Sequence, residues 1–284
     1  MPTPLDLIAS PVSWVVFAIY LLLNVAEAVF PGRPLPRVRG WRALGFVAFA
    51  AYFLISSYLP MLWDGWLAQW RLVDLTTQPD WLQFIAGLFT YELGAYWWHR
   101  SMHRWTPLWR AFHQMHHSSE RIDAASAYWF SPVDMVGWTM LSSLSLVLVV
   151  GLAAWPATLV LLFVTFLGIF QHTNVRTPRW LGYLIQRPEA HSHHHARGVH
   201  WNNFADLPVF DLVFGTFRNP RGFAAETGFY DGASYRIGEM IAMQDVSVRR
   251  PAVATATAGA RWLRPGMADG ASIVSAASPG MAQE

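Results

Sequence analysis

Long apolar runs set the pattern of this chain. A helix needs about 20 mostly apolar residues to cross the hydrocarbon core of a bilayer, and such runs recur. Residues 12–30 form the first, broken only by Asn24 and Glu27. The second covers 41–62, with Pro60 near its end, and the third 81–98, with Glu92 inside it. Residues 135–154 and the shorter 157–171 form the fourth and fifth. Trp155-Pro156 between them predicts a tight interfacial hairpin. The first run has no basic leading segment and no small-residue cleavage site, which predicts a retained span and not a signal peptide. Residues 204–217 mix apolar side chains with Asp206 and Asp211, the pattern of a helix lying along the interface. From about Val246 the chain turns to Ala, Ser, Thr, Gly and Pro, which predicts a disordered tail over 246–284.

Composition supports this reading. Apolar residues make up 54% of the 284 and charged residues 13%, about half the ~25% of a soluble domain. A soluble globule, a collagen-like chain and an intrinsically disordered chain are thereby excluded. Cysteine is absent, so disulfides, thiolate metal sites, iron–sulfur clusters and cysteine nucleophiles are excluded too. Every basic residue is arginine, a usage that fits a GC-rich bacterial genome.

Charge in the connections sets an orientation. Arg33, Arg37, Arg39 and Arg42 lie between the first two runs with no acid beside them. Asp64, Asp74 and Asp80 stand against Arg71 alone between the second and third. Arg100, Arg104, Arg110 and Arg121 follow the third run, and Arg176, Arg179 and Arg187 the fifth. Short arginine-rich loops face the cytoplasm. Five spans with the N-terminus outside place all of these loops on that side of a bacterial inner membrane. The expected fold is an all-α integral membrane protein with about four to five transmembrane helices and a cytoplasmic helical cap. Residues 1–80 supply the N-terminal spans, 81–217 the functional domain, and 218–245 a segment packed on the cap.

The same topology puts all 11 histidines at one membrane face. His99 and His103 are four apart, hence on one helix face. His113, His116 and His117 follow the i, i+3, i+4 spacing, and His191, His194 and His195 repeat it. His172 closes the fifth run. Imidazole suits iron, zinc or copper, and eight to nine ligands exceed what one ion holds, so two ions with four or five histidines each is the natural count. Paired haem ligands would lie inside the spans, whereas these lie at span ends and beyond. A zincin would need His-Glu-x-x-His, which does not occur. Adventitious histidine tracts are contiguous and terminal, unlike these. His193 and His200 fall outside the repeated spacing and are expected beside the ligands or in solvent.

The order His-Arg-x-x-His, His-x-x-His-His-Ser and His-x-x-His-His resembles the sterol desaturase and fatty acid hydroxylase superfamily. The resemblance covers about residues 81–217 and includes Pro188-Glu189-Ala190-His191 and the ending Phe210-Asp211-Leu212-Val213-Phe214-Gly215-Thr216. Asn203 and Phe210 depart from the family's usual Tyr and Trp, and residues 127–132 depart from its Arg-x-His-Pro pattern. The resemblance implies a histidine-rich di-iron site with ligands His99, His103, His113, His116, His117, His191, His194 and His195, and His172 as a ninth. His193, His200, Asn202, Glu92 and Asp211 are expected behind the ligands. Glu120, Asp123 and Glu189 could hold histidine tautomers or pair with arginines. The implied reaction is O2-dependent hydroxylation of a membrane lipid: a fatty acyl, sterol-like, ether-lipid or carotenoid chain. Desaturation at the same site is the alternative. A non-catalytic metal-binding protein and a zinc-dependent membrane hydrolase are the rivals from other classes. No Gly-x-Gly-x-x-Gly fingerprint is present, so electrons would come from an external ferredoxin or cytochrome and its reductase. Nothing points to nucleic acid.

Overall fold

The computed structural model describes residues 1–249, and the expected tail from residue 250 onward lies outside them. Among the described residues the chain is all-helical, with two isolated β-bridges, Pro31 to Val175 and Ala196 to Thr227. A short α1, Pro4–Ala9, precedes α2, Pro11–Val29. Then come α3, Trp41–Tyr58, and α4, Pro60–Leu67. The second apolar run does not stop near residue 62. Pro60 sits in the first turn of α4, where its missing N–H costs nothing, and the helical path continues to Trp70. The long helix α5 spans Asp80–Arg104. Beyond it, α6 (Thr106–Leu108), a π-helical turn (Trp109–His113) and α7 (Gln114–His117) follow without a break. Helix α8, Pro132–Ser143, runs on as a second π-helical turn through Val149, and α9 covers Ala154–His172. Three short helices complete the set: α10, Pro188–His194; α11, Val209–Val213; and α12, Ile237–Ile241.

Among the described residues, four stretches are long and apolar enough to cross a membrane: Pro11–Val29, Trp41–Trp70, Pro132–Val149 and Ala154–His172. Helix α5 is more polar, carrying Gln83, Glu92, His99, Arg100, His103 and Arg104, but its 25 residues extend about 37 Å at ~1.5 Å each. It turns Gly87, Leu88, Tyr91, Glu92, Ala95 and His99 inward at helical spacing. Leu88, Tyr91 and Ala95 meet Leu146, Val160 and Val164 of the neighbouring helices.

Contacts at the two ends fix the helix directions. At one end Glu27 of α2 accepts the backbone N–H groups of Ala124 (2.9 Å) and Asn174 (3.1 Å), just past α9. At the same end Trp41 opens α3 and donates its indole N–H to Asp123 at 2.9 Å. At the other end Trp63 donates to the Ser143 hydroxyl (2.8 Å), Leu72 N–H to Leu148 O (2.8 Å) and Ala153 N–H to Gln83 Oε1 (2.8 Å). Helices α2, α5 and α9 therefore run toward the first end, and α3 and α8 run away from it. Successive long helices thus alternate in direction.

Two local expectations are corrected. Trp155 and Pro156 lie in the first turn of α9, and the chain reverses before them, over 150–153. The expected interfacial helix over 204–217 shrinks to the five residues of α11, because Asp211 points into the protein and gathers the surrounding backbone (below). The start of the expected disordered tail is also corrected: Val246 is fully buried, packed with Met240, Trp41 and Met115.

Helix α3 approaches the 124–126 turn so closely that a Cβ on Gly45 would lie 2.3 Å from Ala125 O. Gly45→Leu should therefore cost about 1–3 kcal/mol of stability through overpacking, read as a lower unfolding temperature in detergent. Gly65→Ala, where a Cβ meets nothing within 4 Å, should leave that temperature unchanged or slightly raised.

Candidate metal centre

His99 and His103 project from the last two turns of α5, with ring centroids 5.0 Å apart. The π-helical turn ending at His113 adds a residue to the path, so His113 and the α7 pair His116 and His117 face the same centre. A π-turn of this kind is a frequent mark of a functional site. His172 is the last residue of α9, and His191, His194 and His195 close α10.

The structure brings all nine together in two groups. His99, His103, His113, His117 and His194 form one, and His116, His172, His191 and His195 the other. Within each group the ligand atoms lie within 4.8 Å of one another. Eight of the nine are buried, and His103 is half-buried. His193 lies apart, its Nε2 3.0 Å from Gly222 O. His200 stacks beside His103 at 5.7 Å without joining either group.

Backbone carbonyls hold several rings in one tautomer. His99 Nδ1 donates to Phe204 O (2.8 Å), His172 Nδ1 to Gly168 O (2.6 Å) and His194 Nδ1 to Asn202 O (2.6 Å). A neutral imidazole with its proton at Nδ1 leaves Nε2 as a bare lone pair. Those lone pairs point inward: His117 and His194 bring their Nε2 atoms to 3.1 Å, and His172 brings its Nε2 to 3.1 Å from His116 and 3.0 Å from His191. Burial, then the neighbouring imidazoles, hold His113, His116, His117, His191, His194 and His195 well below the ordinary histidine range. At neutral pH these six are uncharged, the form that binds metal. Both ring nitrogens of His113 and Nε2 of His99 are buried with no hydrogen-bond partner, which costs about 1–3 kcal/mol each. A cation would engage them. The donor set fits two nitrogen-ligated transition-metal ions.

The polar residues behind the rings act mainly through backbone. Asp211 accepts the N–H groups of Phe204 (2.9 Å) and Ala205 (3.0 Å) and the Thr216 hydroxyl (2.6 Å). Burial raises its carboxyl while these bonds oppose the rise. Glu92 accepts from Asp206 and Leu207. Neither carboxylate bonds to a histidine; both hold the loop that aims Phe204 O at His99. Asn202 contributes its carbonyl, not its side chain. Asn203 sits at φ 59°, a region Asn tolerates better than most residues, and clamps Arg218 N–H at 2.7 Å. Glu189 pairs with Arg187 at 3.0 Å, Asp123 with Arg121, and Glu120 accepts Ser234 N–H. Asp134 is a residue that sequence reasoning missed: it is fully buried, with Oδ2 3.6 Å from His113 Nδ1.

A cavity of about 370 Å³ ends on His99, His113, His116, His172 and His191. Its walls include Tyr91, Ala95, Phe130, Trp138, Leu146 and Val164.

Apolar helices long enough to cross a membrane, together with two groups of imidazoles that could each hold a metal ion beside an apolar cavity, describe a membrane protein with room for a hydrophobic ligand. Residues 84–216, which contain all nine rings, match the fatty acid hydroxylase family model. The chain is 29% identical over 171 residues to the alkylglycerol monooxygenase of Danio rerio and 30% identical over 171 residues to that of Homo sapiens. Each match covers 57% of this chain and 35% of the relative. The Xenopus tropicalis alkylglycerol monooxygenase is 27% identical over 175 residues, with the same coverage. The chain thus spans about a third of the length of the curated relatives it matches. No solved structure matches it.

Asp211→Ala would strand two buried N–H groups and the Thr216 hydroxyl. The expected loss is about 3 kcal/mol or more, at ~1–3 kcal/mol per orphaned group, seen as an unfolding temperature several degrees lower. Asp211→Asn, which keeps one acceptor, should lose less.

Proposed function

We propose that this protein is a membrane-bound, O2-dependent di-iron monooxygenase that hydroxylates a lipid chain. The observation that carries the reading is the division of nine imidazoles, eight of them buried, into a group of five and a group of four at the closed end of an apolar cavity. His99, His103, His113, His117 and His194 would hold one iron, and His116, His172, His191 and His195 the other. Bound there, the iron pair supplies the O2-activating chemistry for attack on an inert C–H bond, which lies beyond ordinary side chains. The protein's own part is placement and protection. Gly168 O, Phe204 O and Asn202 O keep protons at Nδ1 and leave Nε2 free, and such ligand-orienting bonds are worth 10- to 100-fold in metal affinity or activity. The walls of Tyr91, Phe130, Trp138 and Leu146 exclude water and hold an apolar chain against the imidazoles. Asp206, which burial pushes up to about 6, lines the same end of the cavity.

An ether-lipid alkyl chain is the substrate class favoured by the resemblance to alkylglycerol monooxygenases. The division into domains 1–80, 81–217 and 218–245 goes with this reading. So does a cytoplasmic His end in a bacterial inner membrane. Arg33, Arg37, Arg39, Arg121, Arg176 and Arg179 all lie on connections at that end, as the positive-inside rule asks. The same arginines would attract an acidic ferredoxin or cytochrome, fed by its reductase, to supply electrons. A zinc hydrolase would need a carboxylate base free to face the substrate; Asp134 stands behind His113, outside the cavity lining, and Asp206, which does line the imidazole end, is held by Gln171 at 2.7 Å.

Protein purified without oxygen should contain about two iron atoms per chain, and with a reductant and membrane lipids it should consume O2 and add one oxygen atom to a lipid. A product short of two hydrogens would make it a desaturase. Zinc in place of iron, or iron without O2 consumption under any donor, contradicts the reading. His116→Ala should lose metal and turnover together, and turnover that survives it contradicts the ligand set.

A further inference from the structure

The cavity is a tunnel along the helix bundle, and its two ends differ. Helix α9 lines its whole length through Ala157, Leu161, Val164, Gly168 and His172, a separation of about 22 Å for fifteen residues at ~1.5 Å each. At the His end the lining residues His99, His113, His116, His172, His191 and Phe204 are all buried. The lining residues that reach the surface lie toward the other end: Val12 in the first turn of α2 (38% exposed) and Leu161 of α9 (40%). Around this mouth the lining turns polar, with Ser57, Asp64, Ser142 and Thr158. Asp64 Oδ1 there has no hydrogen-bond partner. The imidazole end is therefore blind, and the lining meets the surface at Val12 in the first turn of α2 and at Leu161, two turns into α9, in the half of the spans away from the histidines.

We propose, on the oxygenase reading above, that a single-chain amphiphile enters this tunnel methyl end first from the leaflet opposite the histidines. Its polar head stays at the rim of Ser57, Asp64 and Ser142, and a carbon near its far end meets the imidazole cluster. One oxygen atom of O2 becomes the hydroxyl of the new C–OH bond and the other leaves as water, with two electrons from the external carrier and two protons. The reverse orientation would push a polar head into the blind end. Gln171 and Asp206 there already bond to each other at 2.7 Å, and a buried hydroxyl left unpaired costs about 1–3 kcal/mol. An extended chain advances ~3.6 Å per three bonds at most, so 22 Å holds roughly 18 bonds. The tunnel thus acts as a ruler that separates the head from the oxidised carbon by nearly the full length of a common lipid chain. Gly168 lies along this path, and a Cβ there meets nothing within 4 Å, so a large side chain at that position would enter the tunnel between mouth and imidazoles.

Photolabelling tests the orientation without turnover. The iron-loaded full chain in lipid nanodiscs is illuminated with 1-O-hexadecylglycerol carrying a diazirine beside its terminal methyl, and the adducts are mapped by mass spectrometry. Adducts on peptides holding Ala95, Phe130 or Trp138 are expected, and Gly168→Phe, which keeps the backbone carbonyl that holds His172 Nδ1, should move them toward Val12 and Thr158. Adducts at Val12, Pro60 or Thr158 in the unaltered protein, or none on any lining residue, would overturn the proposal. Product analysis with unlabelled 1-O-hexadecylglycerol separates the two readings. Oxygen within the last few carbons supports both. Oxygen on the carbon beside the ether overturns the orientation and leaves the oxygenase intact, whereas methyl-end adducts with no oxygenated product overturn the oxygenase and leave the orientation standing.

Discussion

A buried imidazole is tolerable only if it is neutral and its two nitrogens are occupied. This chain collects nine imidazoles in one place, eight of them buried, and much of its architecture answers that demand. Three helices deliver histidines at or near their C-terminal ends, α5, α9 and α10, and a fourth segment supplies three more through a π-turn and α7. Desolvation alone would leave these rings as a cluster of orphaned donors and acceptors. Carbonyls of Gly168, Phe204 and Asn202 take the outward N–H of three of them. The inward lone pairs remain, and only a shared cation answers several at once.

The rest of the cap serves those carbonyls. The loop that carries Phe204 has no regular structure of its own, so its backbone needs outside acceptors. Asp211 and Glu92 provide them, which explains buried carboxylates that touch no ring. The membrane helices contribute differently. Their alternation brings the ends of α2, α5 and α9 to one level, and their inner faces leave an apolar tunnel in place of a filled core. A rigid polar cluster thus closes one end of a greasy passage, which suits chemistry on an otherwise unreactive chain.

Much of this was legible in the sequence, for physical reasons. Apolar runs of about 20 residues have few alternative explanations, so the spans were readable, and α5 stood out by its Glu92 and paired histidines. Spacings of three and four put histidines on common helical faces, and that is where they lie. Other features left no side-chain signal. A carbonyl acceptor such as Gly168 O belongs to any residue type. Asp134 follows Ser131-Pro132 and looks like an ordinary first-turn acid, since Ser131 caps its N–H. Residues 204–217 have the composition of an amphipathic helix, yet Asp211 turns inward and the helix shortens. Trp155-Pro156 reads as a turn, although proline is equally at home in a first helical turn. The close approach of Gly45 to Ala125 could not be foreseen without knowing which helices are neighbours.

The central claim is that two ions lie among these rings, each within its own group. Anomalous diffraction at the iron edge from anaerobically loaded crystals tests it most directly. Two peaks are predicted, one enclosed by His99, His103, His113, His117 and His194 and the other by His116, His172, His191 and His195. A single peak, or iron bound away from these imidazoles, would contradict it.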